Sequence, residues 1–241
     1  MRVKHDYLLN KTVKIYQPSG LYHASSDAVW LAASVKDVKK NQTFLDVGSG
    51  SGAISLCLAS RLKDKLPNIT GLDIQQELVD AANISIRLNK FDDITFECIN
   101  ILQNKYKPCS FDHVITNPPY FFENVLSPNY SKATAHNFQE KDFVKWVDFC
   151  IKALKPKGRF YMINQASLLE HIIFLLHNRL GAIEILPLFS KPCDKKAKRF
   201  IIRAQKDCKT PLSILSPIYI HNEDNTHSQI AQAVLREGQG I

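Results

Sequence analysis

Asn117-Pro118-Pro119-Tyr120 is the stretch of this 241-residue chain whose residue types most clearly specify a chemistry. It follows Phe111-Asp112-His113-Val114-Ile115-Thr116, an apolar run that reads as a buried strand. An exocyclic amine on an aromatic ring, or a side-chain amide, is a poor nucleophile because its lone pair is delocalised. The Asn117 side-chain oxygen and the Pro118 carbonyl can each accept one hydrogen of such an amine. Two acceptors at fixed angles favour a tetrahedral nitrogen and aim its lone pair at an electrophile. Prolines hold the backbone in one shape, so the acceptors are preorganised, and Tyr120 can stack on the planar group. The residues expected to be catalytic are therefore Asn117, Pro118, Pro119 and Tyr120. Phe121 and Phe122 come next and either line the pocket for that group or belong to the core. Alone, the motif leaves a nucleobase and a glutamine amide equally open, and the bland alternative is a proline turn beside an aromatic ring.

A second constellation lies upstream. Asp46-Val47-Gly48-Ser49-Gly50-Ser51-Gly52 joins a short apolar run, Thr43 to Val47, to a helical one. Glycines at such a junction let a ligand approach the backbone closely. The spacing is Gly-x-Gly-x-Gly, which differs from the dinucleotide fingerprint, and no Lys follows as it would in a phosphate-cradling loop. Asp73 ends the next apolar run and can accept hydrogen bonds from both hydroxyls of a ribose. Asp46, just before the glycines, suits a cofactor that carries a positive amine. Together these features point to S-adenosylmethionine, held by Asp46, Gly48, Gly50, Gly52, Asp73 and its neighbour Ile74. Asn100, past the third strand, is placed to bond the adenine of that cofactor, with Ile101 packing on the ring and Asn117 closing the site. The alternative for the glycines is a tight turn, and for Asn100 an ordinary loop residue. No metal is expected.

The elements that must carry these residues alternate. Strands are expected at Thr43 to Val47, Ile69 to Ile74, Ile94 to Ile99, Phe111 to Thr116 and Arg159 to Ile163. Helices are expected at Ala53 to Leu62, Glu77 to Leu88, Phe143 to Leu154 and Leu168 to Leu180, after an earlier one capped by Ser26-Asp27. This rhythm predicts an α/β fold with a mainly parallel sheet covered on both faces. Ile183 to Leu188, Phe200 to Ala204 and Ile214 to Ile220 read as antiparallel strands closing one edge, with a last helix near Ser228 to Leu235. The expected organisation is a single domain over 1–241. It comprises an N-terminal segment at 1–42, a cofactor and catalytic core at 43–180, and antiparallel strands with a basic tail at 181–241.

Composition is that of a soluble globular protein, 45% hydrophobic and 22% charged. No run is long and apolar enough to span a membrane, and the polar N-terminus lacks a signal-peptide core, so the expected compartment is the cytoplasm. Cys57, Cys98, Cys109, Cys150, Cys193 and Cys208 show no metal or redox spacing and are expected to be free thiols. Net charge is +8, a general hint of a nucleic-acid partner. Much of it gathers in Lys191, Lys195, Lys196, Lys198, Arg199, Arg203, Lys206 and Lys209. That run is either a solvated lysine-rich loop or a phosphate-contacting surface, with Lys195, Lys196, Lys198 and Arg199 as its binding residues and Lys132 and Lys141 as outliers.

Taken in order and spacing, Asp46 to Gly52, Asp73 and Asn117 to Tyr120 resemble the class I, Rossmann-like methyltransferases that methylate amino groups. The resemblance covers about residues 43 to 204 and implies a seven-stranded sheet whose last strand is antiparallel. Within that class the chain is similar to the bacterial tRNA adenine-N6-methyltransferases that modify adenine 37 of valine tRNA. Gln17-Pro18-Ser19-Gly20, Ser25 to Ala32, Leu186-Pro187-Leu188 and Arg199 to Ala204 carry that similarity. In that family the N-terminal stretch lies over the cofactor and substrate cleft. Asn100 departs from the acidic residue common at its position. The resemblance implies a tRNA partner; a monomer is expected rather than an oligomer.

Other acceptors remain to be separated. Release-factor glutamine N5-methyltransferases share the four-residue motif but place a helical domain before the cofactor strand, where this chain has residues 1–42. DNA adenine methyltransferases usually carry a recognition domain. Ribosomal-RNA enzymes that methylate a base nitrogen, such as guanine N2, often show duplication, and none is visible here. A non-catalytic adaptor in an RNA complex is the reading of a different class, and the intact Asn117 motif argues against it.

Overall fold

A computed structural model describes residues 5–21, 23–103, 106–119 and 139–241. Strands β3 (Thr43–Val47), β4 (Asn68–Asp73), β5 (Ile94–Cys98), β6 (Phe111–Thr116) and β7 (Leu154–Gln165) run parallel to one another. The chain starts in the middle with β3, builds outward to β4 and β5, then returns to place β6 and β7 on the other side. β3 is therefore the point where strand order reverses, and the crevice beyond its C-terminal end is where an open parallel sheet binds ligands. Helices α2 (Ala53–Arg61), α3 (Gln76–Asn89) and α4 (Glu140–Ala153) belong to the crossovers.

Strand residues alternate between two buried layers. Phe44, Ile69, Ile115, Tyr161 and Ile201 face one core and Leu45, Val47, Leu72, Val114, Phe160 and Ile202 the other. A sheet covered on both faces needs apolar residues on both sides, which is why the strands read as continuous apolar runs. Helix α1 (Ser26–Ala33) buries every residue from Ala28 to Ala33. It starts at Ser26, with Ser25 as its cap, slightly ahead of the expected Ser26-Asp27. Helix α4 also starts early, at Glu140, because Gln139 and Asp142 form a reciprocal capping box there.

The C-terminal third differs from expectation in topology. Strand β8 (Leu180–Phe189) runs with the parallel set, and only β9 (Arg199–Lys206) is antiparallel to its neighbours. β9 does not close the edge; it is inserted between β7 and β8. The crossover through α5 (Leu169–Leu176) delivers β8 parallel to β7, and the hairpin that follows fills the gap between them. The expected strand Ile214 to Ile220 is two short pieces, β10 (Ser213–Ile214) and β11 (Ile218–Tyr219), both parallel to β8. Pro217 lies between them and has no N–H for a ladder. Seven long strands thus form the frame, and the two short ones bring the described sheet to nine. The expected helix to Leu180 stops at Leu176, and Asn178 takes a left-handed φ of 58° before β8 begins.

The N-terminal segment carries a small antiparallel hairpin of β1 (Asp6–Leu8) and β2 (Val13–Ile15), which periodicity left undefined. Side chains of α3 hold it. Asn89 accepts from the Lys14 N–H at 2.8 Å and donates to the Lys14 carbonyl at 2.6 Å, and Ser85 Oγ accepts from the Tyr16 N–H at 2.9 Å. Helix α6 (Gln229–Glu237) packs against α1, and the Ile241 N–H reaches the Ala33 carbonyl at 3.0 Å. All six cysteines are unpaired, with Cys57 and Cys150 buried. No described helix is long and apolar enough to cross a membrane.

Candidate active site

The loop after β3 is shaped by its glycines. Gly48, Gly50 and Gly52 have φ of 74°, 54° and 87°, the left-handed region that L side chains avoid. The Gly48 and Ser49 N–H groups both donate to the Leu72 carbonyl at 2.9 Å, which ties the loop to the end of β4. A methyl group on Gly48 would meet the Trp146 ring at 2.8 Å, and one on Gly52 would meet Phe96 at 2.7 Å. These two glycines therefore serve close packing as well as conformation.

Asp73 closes the loop from β4. Its Oδ2 accepts from the Gly50 N–H at 2.8 Å and its Oδ1 from the Gln75 N–H at 2.9 Å. Each carboxylate oxygen keeps acceptor capacity beyond these bonds. Burial pushes the Asp73 carboxyl above the usual range, and the backbone N–H bonds oppose that. Asp46 is fully buried, with Oδ2 accepting from Ser55 Oγ at 2.8 Å and Oδ1 lacking a partner. Desolvation pushes its pKa up to about 7, against the Ser55 hydrogen bonds, with a further rise from the Asp73 charge.

A cavity of about 560 Å³ opens beyond β3, β4 and β6, within the range of small-molecule sites. Gly48, Gly50, Asp73, Ile74, Asn100, Ile101, Asn117, Pro118 and Pro119 all line it. The two motifs meet because Val47 and Thr116, the residues before the glycine loop and before Asn117, are paired across β3 and β6. Asn100 is partly committed, since its Oδ1 accepts from the Leu102 N–H at 3.0 Å. Ile74 is half exposed and Ile101 buried on the same wall. Two expected residues stand back from the wall. Asp46 lies behind the loop with Ser55, and Gly52 caps α2. Tyr120, Phe121, Phe122 and Lys132 lie outside the described residues.

His23 to Ala28 supply one wall from the N-terminal segment, the stretch that the resemblance placed over the cleft. Asp142 and Trp146 supply another from α4 and had no signal in the sequence pattern. Asp27 pairs with Arg199 at 3.2 Å, bringing α1 and β9 together at the cavity. The basic run divides along β9. Lys195, Lys196 and Lys198 are exposed beside Arg199. Arg203 is buried against Glu184, at 3.3 Å, and the Ile241 carbonyl, at 3.1 Å. Lys206 caps the Ile151 and Leu154 carbonyls, at 3.0 and 2.7 Å. Arg199 and Lys206 are the two ends of this eight-residue strand, roughly 23 Å apart at ~3.3 Å per residue step. The run is thus no single patch, and no residue beyond Arg199 lines the cavity among the described residues.

With this geometry in place, the chain can be compared with known proteins. The methyltransferase domain family matches residues 38–191. The chain belongs to that family. A tRNA1(Val) (adenine(37)-N6)-methyltransferase of Dyadobacter fermentans is 28% identical over 205 residues, covering 83% of each chain. One of the same description from Mannheimia succiniciproducens is 32% identical and covers 80% of this chain and 78% of its own. Among solved structures, one described as a predicted O-methyltransferase from Agrobacterium tumefaciens superimposes with a TM-score of 0.73 at 22% identity, covering 89% of this chain and 97% of that one. It shares the Rossmann-like methyltransferase fold. Two further structures of this fold, from Listeria monocytogenes and Thermotoga maritima, each 19% identical with TM-scores of 0.55 and 0.56, are described as S-adenosylmethionine-dependent methyltransferases. The cavity suits that donor: Asp73 presents a buried carboxylate for hydroxyls, Ile74 and Ile101 an apolar wall for a planar ring, and Ser49 Oγ is a buried polar atom without a partner.

Proposed function

We propose that this enzyme methylates N6 of an adenine in tRNA, and that the base is adenine 37 of valine tRNA. The observation that carries the reading is the meeting of the Asn117-Pro118-Pro119 turn and the Gly48-Ser49-Gly50 loop on one cavity, through the Val47–Thr116 pair. The two relatives described above, similar over most of their length, support the choice of adenine and of tRNA.

When bound, S-adenosylmethionine supplies an electrophilic methyl group on a sulfonium. Asp73 would hold the ribose hydroxyls, Ile74 and Ile101 would pack on the adenine of the cofactor, and Asn100 would bond its edge with the amide nitrogen that the Leu102 turn leaves available. Gly48 and Gly50 would let the cofactor approach the backbone closely. Asp46 would act from behind the loop, as a buried charge facing the positive amine rather than as a direct contact. Asn117 Oδ1 and the Pro118 carbonyl would accept the two N6 hydrogens of the target base and orient its lone pair; the roles assigned to Tyr120, in stacking on the ring, and to Phe121 and Phe122, in lining the base pocket, fall to residues outside those described. Orientation then supplies most of the rate. Arg199 at the cavity, the exposed Lys195, Lys196 and Lys198 just before it in the chain, and Lys141 on α4 would meet phosphates and set the tRNA in register. In this reading residues 1–42 and 181–241 flank a 43–180 core, and the enzyme acts as a cytoplasmic monomer.

The test is incubation with labelled S-adenosylmethionine and total tRNA, release factor or DNA in parallel, followed by mass spectrometry of the labelled product. N6-methyladenosine from valine tRNA is expected. Label in N5-methylglutamine, or in DNA alone, overturns the reading. Asn117→Ala is expected to abolish transfer while leaving cofactor affinity within about fivefold, since one missing hydrogen bond in a site with many is worth roughly 1 kcal/mol or less.

A further inference from the structure

The indole of Trp146 joins the two halves of the site. Its Nε1 donates to Thr116 Oγ1 at 2.9 Å, and Thr116 Oγ1 donates to the Val47 carbonyl at 2.8 Å. Thr116 is fully buried and directly precedes Asn117; Val47 directly precedes Gly48. The far edge of the same ring lies where a Gly48 side chain would begin, with Cζ2 and Cη2 both 2.8 Å from that point. One side chain from α4 thus bonds the end of β6 and packs on the turn after β3. A hydroxyl has one hydrogen and an indole one donor, so both groups are oriented along a single chain of bonds from Trp146 to Val47.

We propose that Trp146 is a positioning residue for methyl transfer, acting through Thr116 to set the distance and angle between the glycine loop and the Asn117 turn. The inference rests on the reading that Asn117 orients the accepting nitrogen. Its physical content is that the acceptor and the donor are carried by different loops, one after β6 and one after β3. The strand pair fixes them only up to Val47 and Thr116, and the Trp146 ring, bonded to Thr116 and packed on Gly48, carries the constraint one residue past the end of β3. Misplacement of a reacting group by about 1 Å can reduce rate on the order of 100-fold, so a loose joint here appears in turnover before it appears in binding.

The experiment uses the full chain, with Trp146→Phe, Thr116→Val, their double variant and Thr116→Ser. Phe keeps the ring bulk and loses the donor, Val removes the hydroxyl, and Ser retains it. Thr116→Val and Trp146→Phe are each expected to lower kcat on tRNA by about 10- to 100-fold, with cofactor Kd and tRNA KM within about threefold of wild type. The double variant is expected to fall no further than the worse single one, because both break the same link. Thr116→Ser is expected to recover kcat to within about threefold. Hydrogen exchange of the peptides spanning 45–50 and 113–119, measured without substrate, is expected to quicken in Thr116→Val. The proposal is overturned by wild-type kcat in Thr116→Val, by a loss that appears in cofactor Kd alone, by additive effects in the double variant, by failure of Thr116→Ser to recover, or by unchanged exchange. If wild-type protein transfers no methyl to tRNA, the substrate reading fails, and the exchange measurement still decides whether the link holds the two loops.

Discussion

Asp46 offers a quantitative test of how the site is built. Its carboxyl is fully buried, and desolvation raises its pKa from 3.8 to about 7. Between those two values the folded protein binds more protons than the unfolded chain, so the free energy of unfolding must fall as pH rises. At ~1.4 kcal/mol per pH unit the gap is worth on the order of 4 kcal/mol once the pH is well above 7, of which about 3 kcal/mol develops between pH 5 and pH 8. Asp46→Asn keeps an oxygen for the Ser55 hydroxyl and removes the titration. It also buries an amide N–H₂ where Oδ1 has no partner, a cost of roughly 1–3 kcal/mol that does not change with pH. The measured quantity is therefore the difference in slope. Thermal unfolding of cofactor-free protein from pH 5 to pH 8 is expected to show wild-type Tm falling relative to the variant by about 5–10 °C, at ~2–4 °C per kcal/mol for a chain of this size. His113, whose pKa burial pushes down to about 4, gives the opposite slope between pH 4 and its unfolded value of 6.5. It does so in both proteins and cancels. Parallel Tm curves for wild type and Asp46→Asn would refute the reasoning, since they would mean that Asp46 is not held against its charge.

Gly48→Ala and Gly50→Ala separate packing from backbone strain. At Gly50, where a Cβ meets nothing within 4 Å, the left-handed conformation alone is expected to cost about 1–2 kcal/mol in chemical denaturation. Gly48→Ala, which must also displace the Trp146 ring, is expected to cost more, and equal losses would contradict a packing role for Gly48. Asn89→Ala removes two of the three side-chain bonds that dock the N-terminal segment on α3 and is expected to destabilise by roughly 2 kcal/mol, with exchange protection lost first at Lys14; uniform loss of protection would show that the hairpin is not held at that point. Replacing Lys195, Lys196 and Lys198 with Ala is expected to weaken tRNA binding and flatten its dependence on salt by up to ~0.7–0.9 for each phosphate that is no longer neutralised. The same change at Lys206 and Lys209, at the other end of β9, is expected to leave the salt slope unaltered.

What the sequence determined by itself is the order of elements and the identity of the two loops that matter. Strands buried on both faces must be apolar throughout, and the helices between them must follow a different period. The alternation from Thr43 to Ile163 was therefore legible, and Phe111–Thr116 matched to the residue. The glycines and the Asn117 turn were legible for a related reason: left-handed φ and fixed acceptor carbonyls demand particular residue types at particular places, whatever surrounds them. Nothing local distinguishes Trp146 from any other apolar residue on the buried stripe of α4, nor Arg199 from the lysines around it. Their roles depend on partners 30 and 172 positions away, at Thr116 and Asp27, and residues that distant meet only when the sheet is assembled. The same holds for the basic run, which is contiguous in the chain yet is divided by the extended geometry of β9 into exposed lysines beside Arg199 at one end and, along the strand, a buried Arg203 and a capping Lys206. Tertiary structure alone decided that Asp46 sits behind the loop, because depth is set by which side of the sheet the Ser55 helix covers.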